Sequence, residues 1–352
     1  MRPFLSTVLF IVAGLAAAVA IGFYPAFLAA PPVQDDEQSG FDKTLVIKFS
    51  HVVAENTPKG LAAQKFADLV KAKTNGRVSV EVFPNGVLYT EKDEVDALMR
   101  GDIQMIAPAF ANITERVSAW ELFDLPYAFL TDEAVEEAFA GEIGRILFKK
   151  LESKNMMGIA YWSNGFKQMT SNRGPLIHPE DFKGQRFRIL PSKVIEAQFK
   201  QLDAKTIVIP FNDVYRGYET GIADGGENTI SNIYTKRFYQ VQQYLTISNH
   251  AYLGYGVLTN KKYWDKLPGD VRKILMEAMD ETSAWANRNA IQMNKTQLEQ
   301  IRSHSNIQLH VLTESERAEW MKAWDPLYKQ FEKSIGRELI EQIRVLQKKY
   351  GG

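Results

Sequence analysis

Arg188 has the clearest chemical use in this sequence. It lies in QRFRIL, where Phe187 and Ile189 alternate with Arg186, Arg188 and Leu190. Such alternation is the signature of a strand. An arginine on a strand running out into Leu190-Pro191-Ser192 points either into the space beyond the sheet edge or out to solvent. In the first case its planar guanidinium is a carboxylate clamp, able to make two parallel hydrogen bonds. In the second it is a surface arginine, and the pattern alone leaves both open. Ser192, at the start of the next helix, would add hydroxyl and backbone donors toward an anion. A second candidate is DGGEN, Asp224 to Asn228. It reads either as a tight turn or as a strand end whose Asn228 offers an amide to a ligand, with Gly225 and Gly226 allowing close backbone approach.

Catalytic patterns are missing. The sequence has no GxSxG elbow, no P-loop, no GxGxxG opening a helix and no HExxH. Its five histidines are scattered. His51 and Glu55 are four apart, but a mononuclear metal site needs three or more ligands, so no metal and no cofactor are expected. The pairs Asp93-Glu94 and Glu136-Glu137 read as solvated helix faces. With no cysteine, disulfides, thiol catalysis and thiolate metal sites are excluded. Lysine plus arginine and aspartate plus glutamate each total 42, a balance that gives no support for a nucleic-acid partner.

The elements that must position these residues alternate between strand and helix. Leu45, Ile47 and Phe49 mark a strand, and Thr57-Pro58 is an N-cap followed by an N1 proline. The helix with Ala62, Phe66, Leu69 and Val70 on one face stops at Asn75-Gly76. RVSVEVF follows, so the two strands should be parallel. Thr90 is expected to cap a helix carrying Val95, Leu98 and Met99, before a strand at Ile103 to Ala107. Thr131 opens one amphipathic helix through Phe139, Ile143, Leu147 and Leu151. Strands are expected at Met157 to Trp162, at Lys167 to Ser171, in QRFRIL and in KTIVIP, with a helix beginning near Asn212. AYLGYGVLTN reads as a strand returning to the first sheet. Asp270 to about Ser303 is one helix, roughly 50 Å long at 1.5 Å per residue, long enough to run across two lobes. NIQLHVL is a last strand, and Thr313-x-x-Glu316 is a capping box.

A chain of 352 residues suggests about two domains. The fold class expected is α/β: a two-lobed, periplasmic-binding-protein-like fold with an interlobe cleft at the strand ends, where ligands of open α/β sheets sit. Residues 44–165 with 250–291 form the first lobe, and 166–249 with 292–352 the second. The start differs in kind. Arg2 precedes an uncharged apolar run from Phe4 to Ala30. Residues 1–30 are thus a signal peptide cleaved after Ala18-Val19-Ala20, or an uncleaved anchor, and 31–43 a polar linker. Either way the remainder sits outside the cytoplasm.

Taken together, FSHVVAENTPKG, FDLPYAF, NGFKQMTSN, PEDFKGQRFRILPSKVIEAQFKQLDA, FNDVYRGYETGIADGGEN and SNIYTKRFYQVQQYLTISNHAYLGY resemble one family. It is that of the extracytoplasmic solute receptors of TRAP transporters, of the C4-dicarboxylate (DctP) type, and the likeness covers about residues 44–345. The resemblance implies a periplasmic, non-enzymatic binding protein that closes around one organic acid. It would deliver that acid to small and large integral membrane subunits driven by a sodium gradient. It implies that Arg188 is the selectivity arginine and Asn228 the ligand-facing asparagine. Lys167 falls where sialate-binding relatives carry a second arginine, and looks like the dicarboxylate branch. Asn232, Ser192 and His51 are further candidates. Three positions depart from the pattern: Thr229 in place of proline, Gly226 in place of glutamine and Asn212 in place of serine. If Lys167 and Arg188 each meet a carboxylate, the ligand is a dianion such as succinate, malate or fumarate, or else a larger oxo-acid. One rival keeps the fold as a membrane-held ligand sensor, and a second is an envelope enzyme acting on organic acids with His51, Glu91 or Asp213 as base.

Overall fold

The computed structural model describes residues 11–15 and 44–351. The chain divides into two units, Met1–Thr44 and Leu45–Gly352, and everything that follows concerns the second. The expected signal or anchor and the linker lie almost entirely outside the described residues. No helix among the described residues is long and apolar enough to cross a membrane.

The strands are β1 (Leu45–Ser50), β2 (Val78–Phe83), β3 (Met105–Ile106), β4 (Met156–Ser171), β5 (Arg186–Ile189), β6 (Lys205–Val208), β7 (Gly225–Thr229), β8 (Tyr244–Asn260) and β9 (Gln308–Val311). They join in the order β2-β1-β3-β8-β4-β7-β5-β6, with β9 on β8. The helices are α1 (Pro58–Lys73), α2 (Glu94–Arg100), α3 (Asp132–Ala140), α4 (Glu142–Glu152), α5 (Lys193–Gln201) and α6 (Val214–Glu219). They continue with α7 (Ile230–Thr235), α8 (Lys261–Lys266), α9 (Gly269–His304), α10 (Glu314–Trp324), α11 (Pro326–Ile335) and α12 (Arg337–Tyr350).

Local signals place most boundaries. Thr57, Thr131 and Ser192 each accept a hydrogen bond from a backbone N–H of the first turn of α1, α3 and α5. Thr313 and Glu316 form the reciprocal capping box of α10. As expected for a βαβ unit, β1 and β2 are parallel.

Several expectations need correction. Thr90 does not cap α2; its hydroxyl bonds the Asp93 carboxylate at 2.6 Å, and the helix starts at Glu94. The strand expected over Ile103 to Ala107 is only Met105–Ile106. The single helix expected after Thr131 is two, because Gly141 is extended (φ −94°, ψ −158°). Met157 to Trp162 and Lys167 to Ser171 are one strand. Ser163-Asn164-Gly165 forms an irregularity inside it rather than a turn. That irregularity is held from α9: Asn287 Oδ1 accepts from the Ser163 N–H at 2.8 Å, and Asn294 Nδ2 donates to the Asn164 carbonyl at 2.6 Å. Gly165 itself has φ +127°, open to glycine with little strain.

Two lobes follow from this sheet. β2-β1-β3 lie at one end and β7-β5-β6 at the other, while the long antiparallel pair β4 and β8 runs through both. α9, 36 residues long, spans about 54 Å at 1.5 Å per residue. One core holds an aromatic cluster of Phe110, Trp120, Phe123, Phe139 and Tyr161. A smaller one gathers Val214, Tyr218, Ile233, Phe238 and Leu245. The C-terminal helices rest on both halves. Trp320 and Trp324 donate to the carbonyls of Ile177 and Gln198, while Tyr350 reaches Glu137 of α3.

Candidate functional site

A narrow cleft lies where the two halves meet, with Glu91, Lys167, Arg188, Glu227, Asn228 and Asn232 among its walls. A wider groove of about 1260 Å³ adjoins it and shares Glu91 and Arg188, so these two stand at the junction between inside and outside.

Arg188 points inward and is only 2% exposed. β5 lies between β6 and β7, both parallel to it, so the arginine rises from the sheet interior. Its Nε donates to the Ile209 carbonyl at 2.9 Å, which fixes the plane of the guanidinium. Nη2 is buried with no hydrogen-bond partner among the described residues, and its nearest counter-charge is Glu91 Oε2 at 3.9 Å. A buried donor left in this way costs about 1–3 kcal/mol. An acceptor brought to it is correspondingly favoured.

Lys167, on β4, is equally buried but fully engaged. The register sets Lys167 opposite Thr229 and Met169 opposite Glu227, so Lys167 and Glu227 are diagonal neighbours on one face. Lys167 Nζ lies 2.6 Å from Glu227 Oε1, and His250 Nε2 lies 2.9 Å from Oε2. His250 Nδ1 in turn meets the Ser248 hydroxyl at 2.7 Å. Burial pushes the Glu227 acid upward, but Lys167 and His250 outweigh it and hold the group at about 2. Burial lowers the His250 pKa, against the pull of Glu227. A carboxylate-neutral imidazole-ammonium chain results. Sequence reading passed over Glu227 and His250. The signal available was Glu227 itself, in the same DGGEN stretch as Asn228, but naming its partner requires the β4–β7 register.

Asn228 and Asn232 are brought together. Asn232 Nδ2 donates to Asn228 Oδ1 at 2.7 Å, and the Thr229 N–H donates to the same oxygen at 3.0 Å. With its oxygen used twice, Asn228 has its own amide N–H groups left to offer. Gly225 and Gly226 have a different reason from the one expected. A Cβ on Gly225 would stand 2.0 Å from the Thr170 carbonyl, and one on Gly226 would stand 2.2 Å from the Tyr218 hydroxyl. Their bareness admits the neighbouring strand and a tyrosine.

Two candidates lie off the cleft walls. Ser192 is buried as the N-cap of α5, its hydroxyl accepting from the Ile195 N–H. His51 is fully buried, edge-on to Phe49, and held near 3 by burial and then by Lys59. Glu91, weighed from sequence only as a base, spans the cleft instead. Its Oε2 accepts from the Phe211 N–H at 2.9 Å, while Asn212 Nδ2 donates to the Asn85 carbonyl at 2.9 Å alongside. Glu94, read as a solvated surface residue, is fully buried. Among the described residues no cluster of three or more histidine and carboxylate side chains could hold a metal ion.

The family model for bacterial extracellular solute-binding protein family 7 (DctP) matches residues 49–334. The C4-dicarboxylate-binding protein DctB of Bacillus subtilis is 49% identical over 348 residues, covering 99% of each chain. The C4-dicarboxylate-binding periplasmic protein DctP of Rhodobacter capsulatus is 44% identical over 301 residues, 85% of this chain and 90% of that one. Among solved structures, a TRAP periplasmic solute-binding protein of Sulfurospirillum deleyianum with bound succinate superposes with a TM-score of 0.83. It is 40% identical, over 86% of this chain and 99% of the other. The chain therefore belongs to family 7 of the bacterial extracellular solute-binding proteins, a family of binders rather than enzymes.

Proposed function

We propose that this protein captures a C4-dicarboxylate, or a closely related organic acid, and hands it to the small and large membrane subunits of a TRAP transporter. The observation that carries the reading is Arg188: buried at the meeting of the two halves, with one guanidinium nitrogen free to grip an anion. One ligand carboxylate takes Arg188, and Asn228 donates from the neighbouring strand β7. The second carboxylate approaches Lys167, whose ammonium is already shared with Glu227. The succinate bound by the Sulfurospirillum relative supports this choice of acid.

Residues 44–165 with 250–291 would move against 166–249 with 292–352. The bend falls at the Ser163–Gly165 irregularity of β4 and near Asn249 of β8, whose φ is +46°. Closure excludes water and strengthens charge-assisted bonds to the ligand. The folded part works outside the cytoplasm, exported by the apolar N-terminal segment.

A thermal-shift panel of mono- and dicarboxylates tests this, because a ligand at about 100 times its Kd stabilises the native state by about 2.7 kcal/mol. Succinate, malate or fumarate should give the largest rise in Tm. A panel in which only monocarboxylates or sugars shift Tm would overturn the assignment.

A further inference from the structure

Donors alone do not describe the cleft. Asn232, on its wall and 3% exposed, keeps its Oδ1 buried with no hydrogen-bond partner among the described residues. Which end of this amide is the oxygen follows from its neighbours. The Thr229 backbone N–H can only donate, so the Asn228 side-chain atom 3.0 Å from it is the oxygen. That oxygen also meets the Asn232 amide at 2.7 Å, so Asn232 turns its NH2 toward it. Turning either amide over would set like against like. Asn228 is thereby left with a donor to offer and Asn232 with an acceptor.

We propose that Asn232 is a specificity-determining residue: its Oδ1 accepts from a hydroxyl on the carbon next to a ligand carboxylate, so that the site prefers a 2-hydroxy dicarboxylate, malate, over succinate and fumarate. The inference rests on the dicarboxylate reading above.

The backbone that carries the two amides is fixed from behind. Thr229 Oγ1 accepts from the Asn232 N–H at 3.4 Å and from Asn164 Nδ2 at 2.8 Å, and the Ser231 N–H donates to Asn294 Oδ1 of α9 at 2.9 Å. Other acceptors on the walls are engaged: Glu227 by Lys167 and His250, and Glu91 Oε2 by the Phe211 N–H. The Tyr255 phenol, on the same wall, feels the Asn232 amide but makes no hydrogen bond to its oxygen. A buried acceptor without a donor is unfavourable, and a ligand that brings one relieves it. A carboxylate brings none, since it only accepts; a hydroxyl donates. The adjoining amides set a donor beside an acceptor, and a 2-hydroxy acid carries the matching pair, a carboxylate oxygen beside a hydroxyl. Succinate and fumarate leave Oδ1 unmet. With the carboxylate fixed by Arg188 and Asn228, only one configuration at the hydroxyl carbon reaches the acceptor.

The test is calorimetric titration of wild type, Asn232→Leu and Tyr255→Phe with succinate, fumarate and each enantiomer of malate, with thermal melts confirming that the variants fold. Wild type should bind one malate enantiomer about two- to tenfold tighter than succinate. Asn232→Leu, close in size, should bring the ratio of malate to succinate affinity to about one. A residue that merely held the wall would weaken both ligands alike and leave that ratio unchanged. Tyr255→Phe should keep the malate preference. Should Asn232→Leu not fold, Asn232→Ala reads the same ratio. Wild type binding succinate as tightly as either malate, or a malate preference that survives in the Asn232 variant, overturns this inference and leaves the dicarboxylate reading intact. A preference lost in Tyr255→Phe also overturns it, by giving the hydroxyl to the tyrosine. Failure of succinate, malate and fumarate to bind overturns both.

Discussion

Two cations share the cleft and are built on opposite plans. Lys167 is saturated: Glu227, His250 and Ser248 extend from it as a closed chain of hydrogen bonds, with Lys167, Glu227 and His250 each at most 4% exposed. Arg188 is anchored at one nitrogen and left open at another. A closed network in a low-dielectric interior rigidifies the wall it belongs to. An open one stores an unmet hydrogen bond that only an incoming acceptor satisfies. On the proposed reading, Lys167 shapes the site and Arg188 meets the ligand.

Breaking the closed side should show up as lost stability. Glu227→Gln leaves the buried Lys167 ammonium without its counter-charge, a change worth about 3–5 kcal/mol. Urea denaturation followed by circular dichroism should record that drop. The pH dependence gives a second signature. Because the folded-state pKa of Glu227 is depressed to about 2, its contribution is complete above the unfolded value of about 4.3 and fades as pH falls toward 2. The variant should lack that part of the acid transition.

On the open side the loss should appear in binding. Arg188→Ala is expected to cost about 2–5 kcal/mol of affinity, while the urea midpoint stays close to wild type. Arg188→Lys should recover little, since a point charge cannot reproduce the fork. Unchanged calorimetric affinity in Arg188→Ala would falsify the clamp.

Smaller effects test how the walls meet. Asn212→Ala deletes the bond from Asn212 Nδ2 to the Asn85 carbonyl, which bridges the cleft with no ligand atom between. Weakening the closed form by about 0.5–1.5 kcal/mol should raise Kd between about twofold and tenfold. Small-angle scattering of the unliganded variant should show a larger radius of gyration. Least of all, Arg337→Ala on the exposed pair with Glu341 should shift stability by under about 0.5 kcal/mol, a control for charge removal as such.

Much of the scaffold was legible in the residues. Thr57-Pro58, Thr131, Ser192 and the Thr313/Glu316 box placed helix starts because a cap joins atoms only a few residues apart. The uninterrupted apolar periodicity from Val271 onward marked the long helix, which runs as Gly269–His304. Arg188 could be singled out by type, and the family likeness added Lys167 and Asn228. At the middle of β4 the deciding contact came from far along the chain. Asn294, 130 residues away, turns the apparent break at Asn164 into a continuous strand.

What the sequence determined by itself was therefore the order of elements, their caps and the family. What tertiary structure alone decided was which charges meet. Register placed Glu227 beside Lys167 rather than leaving that lysine free, and crossing of the two halves put Glu91 on Phe211. It also buried Glu94, on a helix that reads as solvated. The physical reason is range. A cap or a periodicity is an interaction between near neighbours, whereas the partner and protonation of a buried charge depend on whatever the fold brings within a few ångströms of it.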